Sequence, residues 1–159
     1  MKIKGIINED FVNYCKICMT IEMPTCDFKC DRECGSQVCQ NSDLARQPSF
    51  DIDIKDLIAI YISNPITESI CFQGLEPMDS FSDLLECIDA FRKKTLDDIV
   101  IYTGYNKNEI TDFLTKLKKY DKIIIKYGRY VPNDKPHYDP VLGVNLASNN
   151  QYAELLIKE

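Results

Sequence analysis

The chain has 159 residues, eight cysteines and a formal net charge of −6. This length suits one domain, residues 1–159, with a core large enough to fold without disulfide bonds. The acidic charge argues against a nucleic-acid partner, because affinity for a phosphate backbone depends on clustered lysine and arginine. No long uncharged apolar run indicates a membrane partner, and the charged N-terminus lacks the features of a secretory signal peptide. We therefore expect a cytoplasmic protein, in which clustered cysteines more often bind a metal than form disulfides.

The first predicted element is an apolar strand from Ile17 to Met23, which leads into a segment with four of the eight cysteines. A helix is predicted from Asp53 to Ser63, a second strand from Ser69 to Gln73, and a second helix from Asp79 to Lys94. Apolar residues of this second helix recur at intervals of three and four, the spacing of one buried helix face.

The second half of the chain continues the alternation of strands and helices. A strand is predicted from Asp98 to Thr103, a helix after the capping-box sequence Asn106-Lys107-Asn108-Glu109, and a strand from Lys122 to Tyr127. Residues 131–150 are not periodic and are rich in Pro, Asn, Asp and Gly, which predicts a long loop of functional or mobile character.

Strands separated by single helices are typical of parallel βαβ units, so we predict an α/β fold with a mainly parallel sheet. In such sheets, ligands bind at the carboxyl ends of the strands. Each motif described below follows a predicted strand, and we therefore expect the motifs to lie together at one binding site.

Four cysteines lie close together after the first strand, at positions 26, 30, 34 and 39. Thiolates at this spacing can converge on one metal centre. Three of them would leave one iron of a four-iron cluster open, whereas all four would suit a structural zinc ion. Cys18, Cys71 and Cys87 lie in or beside apolar elements, where a free thiol behaves as a small hydrophobe. Cys15 and Cys18 have the spacing of a redox or zinc pair, although side chains three residues apart on a strand point to opposite faces.

The cysteine segment resembles the cluster loop of radical SAM proteins, whose usual pattern is Cys-x3-Cys-x2-Cys, with an aromatic or apolar residue before the third cysteine. In the activating enzymes of anaerobic ribonucleotide reductase, the third cysteine is followed by one residue and then Asn, as in residues 38–41 here. The resemblance implies a [4Fe–4S] cluster bound by Cys26, Cys30 and Cys39. The gap of eight residues before Cys39 departs from the family pattern, and Cys34 remains the alternative third ligand.

Three further motifs extend the resemblance. Gln73-Gly74-Leu75-Glu76-Pro77 is similar to the Gly-Gly-Glu-Pro motif that supports the amino group of S-adenosylmethionine, with Leu75 in place of the second glycine. Tyr102-Thr103-Gly104-Tyr105 resembles a motif of the reductase activases, and so do the segments 128–130 and 146–151. The residues that the resemblance implies for S-adenosylmethionine are Asn41, Gln73, Gly74, Glu76, Pro77 and Tyr102.

The resemblance also implies a small partial (β/α) barrel and the activity of a radical SAM oxidoreductase. In this chemistry the reduced cluster cleaves S-adenosylmethionine, and the resulting radical removes a hydrogen atom from a glycine of a partner enzyme, here an anaerobic ribonucleotide reductase. A flavodoxin-like or ferredoxin-like protein would donate the electron. The competing interpretations are a zinc-binding interaction module without enzymatic activity and a radical SAM enzyme with a different substrate.

Overall fold

The computed structural model describes all residues of the chain, 1–159, as a mixed α/β structure around a six-stranded sheet. The strands lie in the order β10 (Tyr152–Leu155), β7 (Ile123–Tyr127), β6 (Asp98–Tyr102), β5 (Ser69–Gly74), β3 (Cys18–Met23) and β2 (Gly5–Asp10). The four central strands are parallel, and the two edge strands are antiparallel to their neighbours. The predicted α/β class with a mainly parallel sheet is thus confirmed, but the sheet has two free edges and forms no closed barrel.

Three helices connect the central strands, as their apolar spacing predicts. They are α3 (Ile54–Ser63), α4 (Phe81–Arg92) and α5 (Thr111–Leu117). Asp53 begins α3 by accepting a hydrogen bond from the Lys55 backbone N–H at 2.9 Å, which satisfies one of the free donors of the first turn. The capping-box sequence at Asn106 begins a short 3₁₀ turn ahead of α5 rather than α5 itself.

One face of the sheet packs against all three helices. The order of the parallel strands along the sheet follows their order along the chain, so right-handed crossovers place each connecting helix on the same side. Together the strands and helices bury the main apolar core of the protein. Its members include Ile21, Phe72, Ile101 and Ile125 from the strands and Leu57, Leu84, Phe91 and Leu117 from the helices.

The opposite face of the sheet carries a smaller apolar cluster and no helix. Cys18, Cys71, Val100 and Ile124 point to this face and are covered by loop and hairpin residues such as Leu142. Buried polar side chains share the face with them. They are Thr20, Ser69 and Lys126.

The cysteine segment folds into two short helices, α1 (Lys29–Cys34) and α2 (Ser42–Arg46). The N-terminal β1 (Lys2–Ile3) pairs with β4 (Phe50–Asp51). None of the helices has the length and apolar character needed to cross a membrane.

The segment predicted to be loop-rich, residues 131–150, consists mostly of loop and turn but also contains an antiparallel hairpin that the sequence did not predict. The hairpin pairs β8 (His137–Asp139) with β9 (Val144–Leu146). Asp139 organises the turn, because one carboxylate oxygen accepts the backbone N–H groups of Val141 at 3.0 Å and Leu142 at 2.9 Å. Strands of three residues are too short to give a periodic sequence pattern.

Candidate metal and cofactor site

A cavity of about 390 Å³ opens at the carboxyl edge of the parallel strands. Its volume lies in the range of small-molecule binding sites. The segments that follow β3, β5, β6 and β7 meet here because parallel strands end at the same edge of a sheet. Eight of the nine residues predicted for the site line this cavity. They are Cys26, Cys30, Cys39, Asn41, Gln73, Gly74, Glu76 and Tyr102. The ninth, Pro77, is buried at the start of a 3₁₀ turn and does not line the cavity.

Three thiols converge on this site cavity, and the fourth cysteine of the segment does not. Cys26, Cys30 and Cys39 are half-buried and line the cavity, whereas Cys34 is exposed at the end of α1. The structure therefore brings together the three cysteines that the resemblance implied and leaves the alternative outside.

The spacing of these thiols is wider than the spacing of ligands around a single zinc ion. Four thiolates around one zinc ion, with Zn–S bonds of about 2.3 Å, lie roughly 3.8 Å apart. The three Sγ atoms do not all lie within 4.8 Å of one another; the donor set that does is Cys26 with Asp27 and Asp79. The three thiols are therefore not arranged as a closed tetrahedral zinc site.

Burial keeps two of the thiols protonated in the metal-free protein. It raises the pKa of Cys26 to about 12, although the thiol also accepts the Phe28 backbone N–H at 3.3 Å. Burial raises the pKa of Cys30 as well. Binding of a metal centre to these sulfur atoms therefore displaces protons.

Asn41 joins the cysteine segment to the motif that follows β5. Its side-chain amide donates a hydrogen bond to the Gly74 carbonyl at 2.5 Å. Gly74 has a φ of 94°, a conformation that favours glycine, and a side chain there would meet the Glu22 backbone at 3.1 Å. The glycine thus permits the close approach of two strand ends beside the site cavity.

Glu76 connects the loops after β5 and β6 from a buried position. Its carboxylate accepts hydrogen bonds from the Met78 backbone N–H at 3.0 Å, the Thr103 hydroxyl at 2.8 Å and the Gly104 backbone N–H at 2.8 Å. Burial raises the pKa of Glu76 to about 7, against the lowering effect of these hydrogen bonds. A carboxylate has about four acceptor positions, so one remains for a ligand.

Lys126 is a site residue that the sequence motifs did not reveal. It is only 7 % exposed, and its ammonium group donates to the Gly128 carbonyl at 2.9 Å without a carboxylate within 4.0 Å. Burial lowers its pKa to about 8. The sequence signal that could have identified Lys126 as a site residue is a lysine within the otherwise apolar strand β7. A lysine buried in this way normally has a partner, which a ligand can supply.

Tyr102 closes the wall beside Lys126. Its hydroxyl donates to the Asn13 carbonyl at 2.6 Å, and its ring centroid lies 5.7 Å from the Lys126 ammonium. Burial raises the pKa of Tyr102, which therefore stays protonated as a hydrogen-bond donor. The tyrosine thus holds the loop after β2 against the site cavity.

The fold and these side chains define an α/β protein with a thiol-lined metal site at the carboxyl edge of its sheet. The family model of the 4Fe–4S single cluster domain, which is found in radical SAM-type proteins, matches residues 15–152. The chain therefore belongs to this family, and membership supports an iron–sulfur cluster as its metal centre. No curated protein and no solved structure gives a significant match.

Proposed function

We propose that this protein is a radical SAM oxidoreductase that cleaves S-adenosylmethionine and generates a glycyl radical on an anaerobic ribonucleotide reductase or a related cytoplasmic enzyme. The observation that carries the proposal is the composition of the site cavity. Three thiols, one buried carboxylate and one buried ammonium group face the same space at the carboxyl edge of the sheet.

Cys26, Cys30 and Cys39 would hold the cluster. A [4Fe–4S] centre bound by three thiolates supplies one-electron transfer and one iron with an open coordination position. Because Cys34 lies outside the cavity, the chain offers no fourth thiol to close that position.

Two buried residues would recognise the methionine part of the substrate. An amino acid group carries one ammonium and one carboxylate. The free acceptor position of Glu76 suits the ammonium group, and the unpaired ammonium of Lys126 suits the carboxylate. Charge-assisted hydrogen bonds of this kind are stronger than neutral ones and gain strength where water is excluded.

The volume of the site cavity favours a macromolecular partner. The cavity has the volume of a site for one small ligand, so a second large substrate would have to be presented from outside it. A glycine presented on a loop of another protein would meet this constraint. A flavodoxin-like or ferredoxin-like protein is the proposed electron donor.

The proposal is tested by anaerobic reconstitution of the full chain with iron and sulfide. We expect a brown protein that, with S-adenosylmethionine and dithionite, releases 5′-deoxyadenosine and methionine, both measured by chromatography. The Cys39→Ala variant is the matched control and should release neither. A colourless protein with one zinc ion per chain would refute the proposal.

A second measurement separates the glycyl-radical function from other radical SAM chemistry. The reconstituted protein is mixed with a candidate anaerobic reductase, and the mixture is examined by electron paramagnetic resonance. A glycyl radical signal that requires S-adenosylmethionine supports the proposed partner. Release of 5′-deoxyadenosine without that signal would favour a different substrate.

A further inference from the structure

The eight residues between Cys30 and Cys39 form a compact reversal of the chain. Helix α1 ends at Cys34, and Gly35 follows in the left-handed conformation with a φ of 66°. This glycine turns the chain, because other residues adopt a positive φ at a cost. Residues 36–38 then return toward the start of the helix and deliver Cys39 to the site cavity.

One carboxylate closes this reversal. The Oδ1 atom of Asp31 accepts the backbone N–H of Val38 at 2.8 Å and the backbone N–H of Cys39 at 2.8 Å. Asp31 directly follows Cys30 in the chain. The two hydrogen bonds therefore join the residue beside the second thiol to the backbone of the third.

Apolar packing does not hold this segment, since α1 contains no buried residue. Its position depends on polar contacts. The Glu33 carboxylate lies 3.0 Å from Nε of Arg129, an ion pair whose angle does not make a hydrogen bond. The Arg129 side chain is 8 % exposed and forms two hydrogen bonds of 2.8 Å to Glu109. The ion pair links α1 to the residue after Gly128, while Asp31 links α1 to residues 38 and 39.

The backbone of Cys39 is also held from the following residues. The Ser42 hydroxyl donates to the Cys39 carbonyl at 2.6 Å, so the peptide groups on both sides of the cysteine are fixed. Without the contact to Asp31, only the carbonyl group of Cys39 would remain restrained, by Ser42. Residues 31–38 would then lose the closure that points its thiol toward the cavity.

We propose that Asp31 is a positioning residue that presents Cys39, rather than Cys34, as the third thiolate of the metal centre. The inference rests on the cluster part of the proposed function and not on S-adenosylmethionine. It explains how a chain with eight residues between its second and third thiols still gathers three of them at one cavity.

The test compares three variants of the full chain, Asp31→Ala, Asp31→Asn and Asp43→Ala. Asp43 lies in the same segment, but its side chain is 95 % exposed and pairs only with Arg46. After anaerobic reconstitution, bound iron per chain and the visible spectrum are measured. We expect iron to fall at least about threefold in Asp31→Ala, in line with the loss seen when residues that orient metal ligands are removed. Asp31→Asn keeps an oxygen that accepts both N–H groups and should retain most of the iron, and Asp43→Ala should match the wild type.

A second readout uses the metal-free protein and does not depend on cluster assembly. Each cysteine is alkylated and its rate is followed by mass spectrometry. In Asp31→Ala, Cys39 should react several-fold faster, whereas the buried thiols of Cys18, Cys71 and Cys87 should stay protected, which shows that the fold is intact.

Three outcomes would overturn the assignment. Wild-type iron content in Asp31→Ala would show that Cys39 needs no help from the carboxylate. Loss of iron in a folded Asp31→Asn variant to the level of Asp31→Ala would show that the acceptor oxygen is not the operative feature. An unchanged alkylation rate of Cys39 in Asp31→Ala would show that the carboxylate does not position this cysteine. That result would hold even if the wild-type chain took up no cluster and the proposed function failed.

Discussion

The two faces of the central sheet are built from the same strands but have different compositions. Toward the helices, β7 presents Ile123 and Ile125, whereas toward the opposite face it presents Ile124 and Lys126. Because successive side chains of a strand point to opposite faces, one strand serves both sides. The helical face is almost purely apolar, whereas the opposite face also carries buried polar groups, among them Ser69 at the start of β5 and Lys126 beside the site cavity.

Residues that favour folding and residues suited to binding therefore lie on opposite faces of one sheet. Burial of apolar residues on the helical face favours folding. Burial of Glu76 and Lys126 near the other face opposes it, because each charged group loses hydration without a full set of partners. Such groups are retained where a ligand uses them, and substitutions on the two faces should therefore have opposite signatures.

The largest effect is expected for the thiols of the site face. Cys39→Ala removes a ligand that lines the cavity and should lower bound iron at least about tenfold after reconstitution. Cys34→Ala removes an exposed thiol outside the cavity and should leave the iron content near that of the wild type. The test measures bound iron and sulfide per chain in Cys39→Ala and Cys34→Ala after the same reconstitution. The reverse pattern would show that Cys34 is the third ligand.

On the helical face, Phe91→Ala should lower the free energy of unfolding by about 3–5 kcal/mol without altering the site residues. Phe91 is fully buried in α4 and packs edge-on against Tyr61, with 5.6 Å between the ring centroids. Urea denaturation of the metal-free protein measures the loss. Phe11→Ala serves as the control, since Phe11 is 65 % exposed and its removal should change stability by less than about 0.5 kcal/mol. Equal losses in both variants would contradict the assignment of the core.

Lys126→Met should have the opposite sign and stabilise the metal-free protein at pH 7 by about 1–3 kcal/mol. Burial lowers the pKa of Lys126 to about 8, from 10.5. The folded chain therefore releases this proton more readily than the unfolded chain, and wild-type stability should rise as the pH increases from about 8 toward 10.5. The advantage of the methionine variant should shrink over that window.

Urea denaturation at several pH values tests the sign of the Lys126 effect. Lys119→Met, at an exposed lysine, is the control and should change stability by less than about 0.5 kcal/mol. A destabilised Lys126→Met variant at pH 7 would show that the lysine stabilises the fold and does not destabilise it. The same variant should bind S-adenosylmethionine more weakly if the proposed function holds.

The smallest effect is expected at the rim of the site. The hydrogen bonds and charge of Arg129 lower the pKa of Glu109 to about 2. The pair therefore stabilises the fold above about pH 4.5 and loses this contribution as the pH falls toward 2. Since Glu109 is exposed, Glu109→Gln should cost less than about 1 kcal/mol at pH 7. Acid titration of the wild type and of Glu109→Gln, monitored by circular dichroism, should show that their difference in stability disappears at low pH. A difference that persists at low pH would contradict the ion-pair explanation.

The elements that carry a short apolar run or a regular apolar spacing could be predicted from the sequence. The four central strands and α3 and α4 lie within about two residues of their predicted bounds, because short apolar runs and three-to-four spacing reflect local geometry. The motifs after β3, β5 and β6 were also readable, since the end of a parallel strand fixes where its loop emerges.

Three features depend on the tertiary fold: the cysteine that faces the cavity, the edge strands that complete the sheet and the buried lysine that joins the site. The sequence left Cys34 and Cys39 as alternatives, and the choice depends on the reversal at Gly35 and on the hydrogen bonds of Asp31. Lys126 and the edge strands β2 and β10 likewise depend on neighbours distant in the chain. Local periodicity cannot encode such contacts, because they exist only once separate segments have packed together.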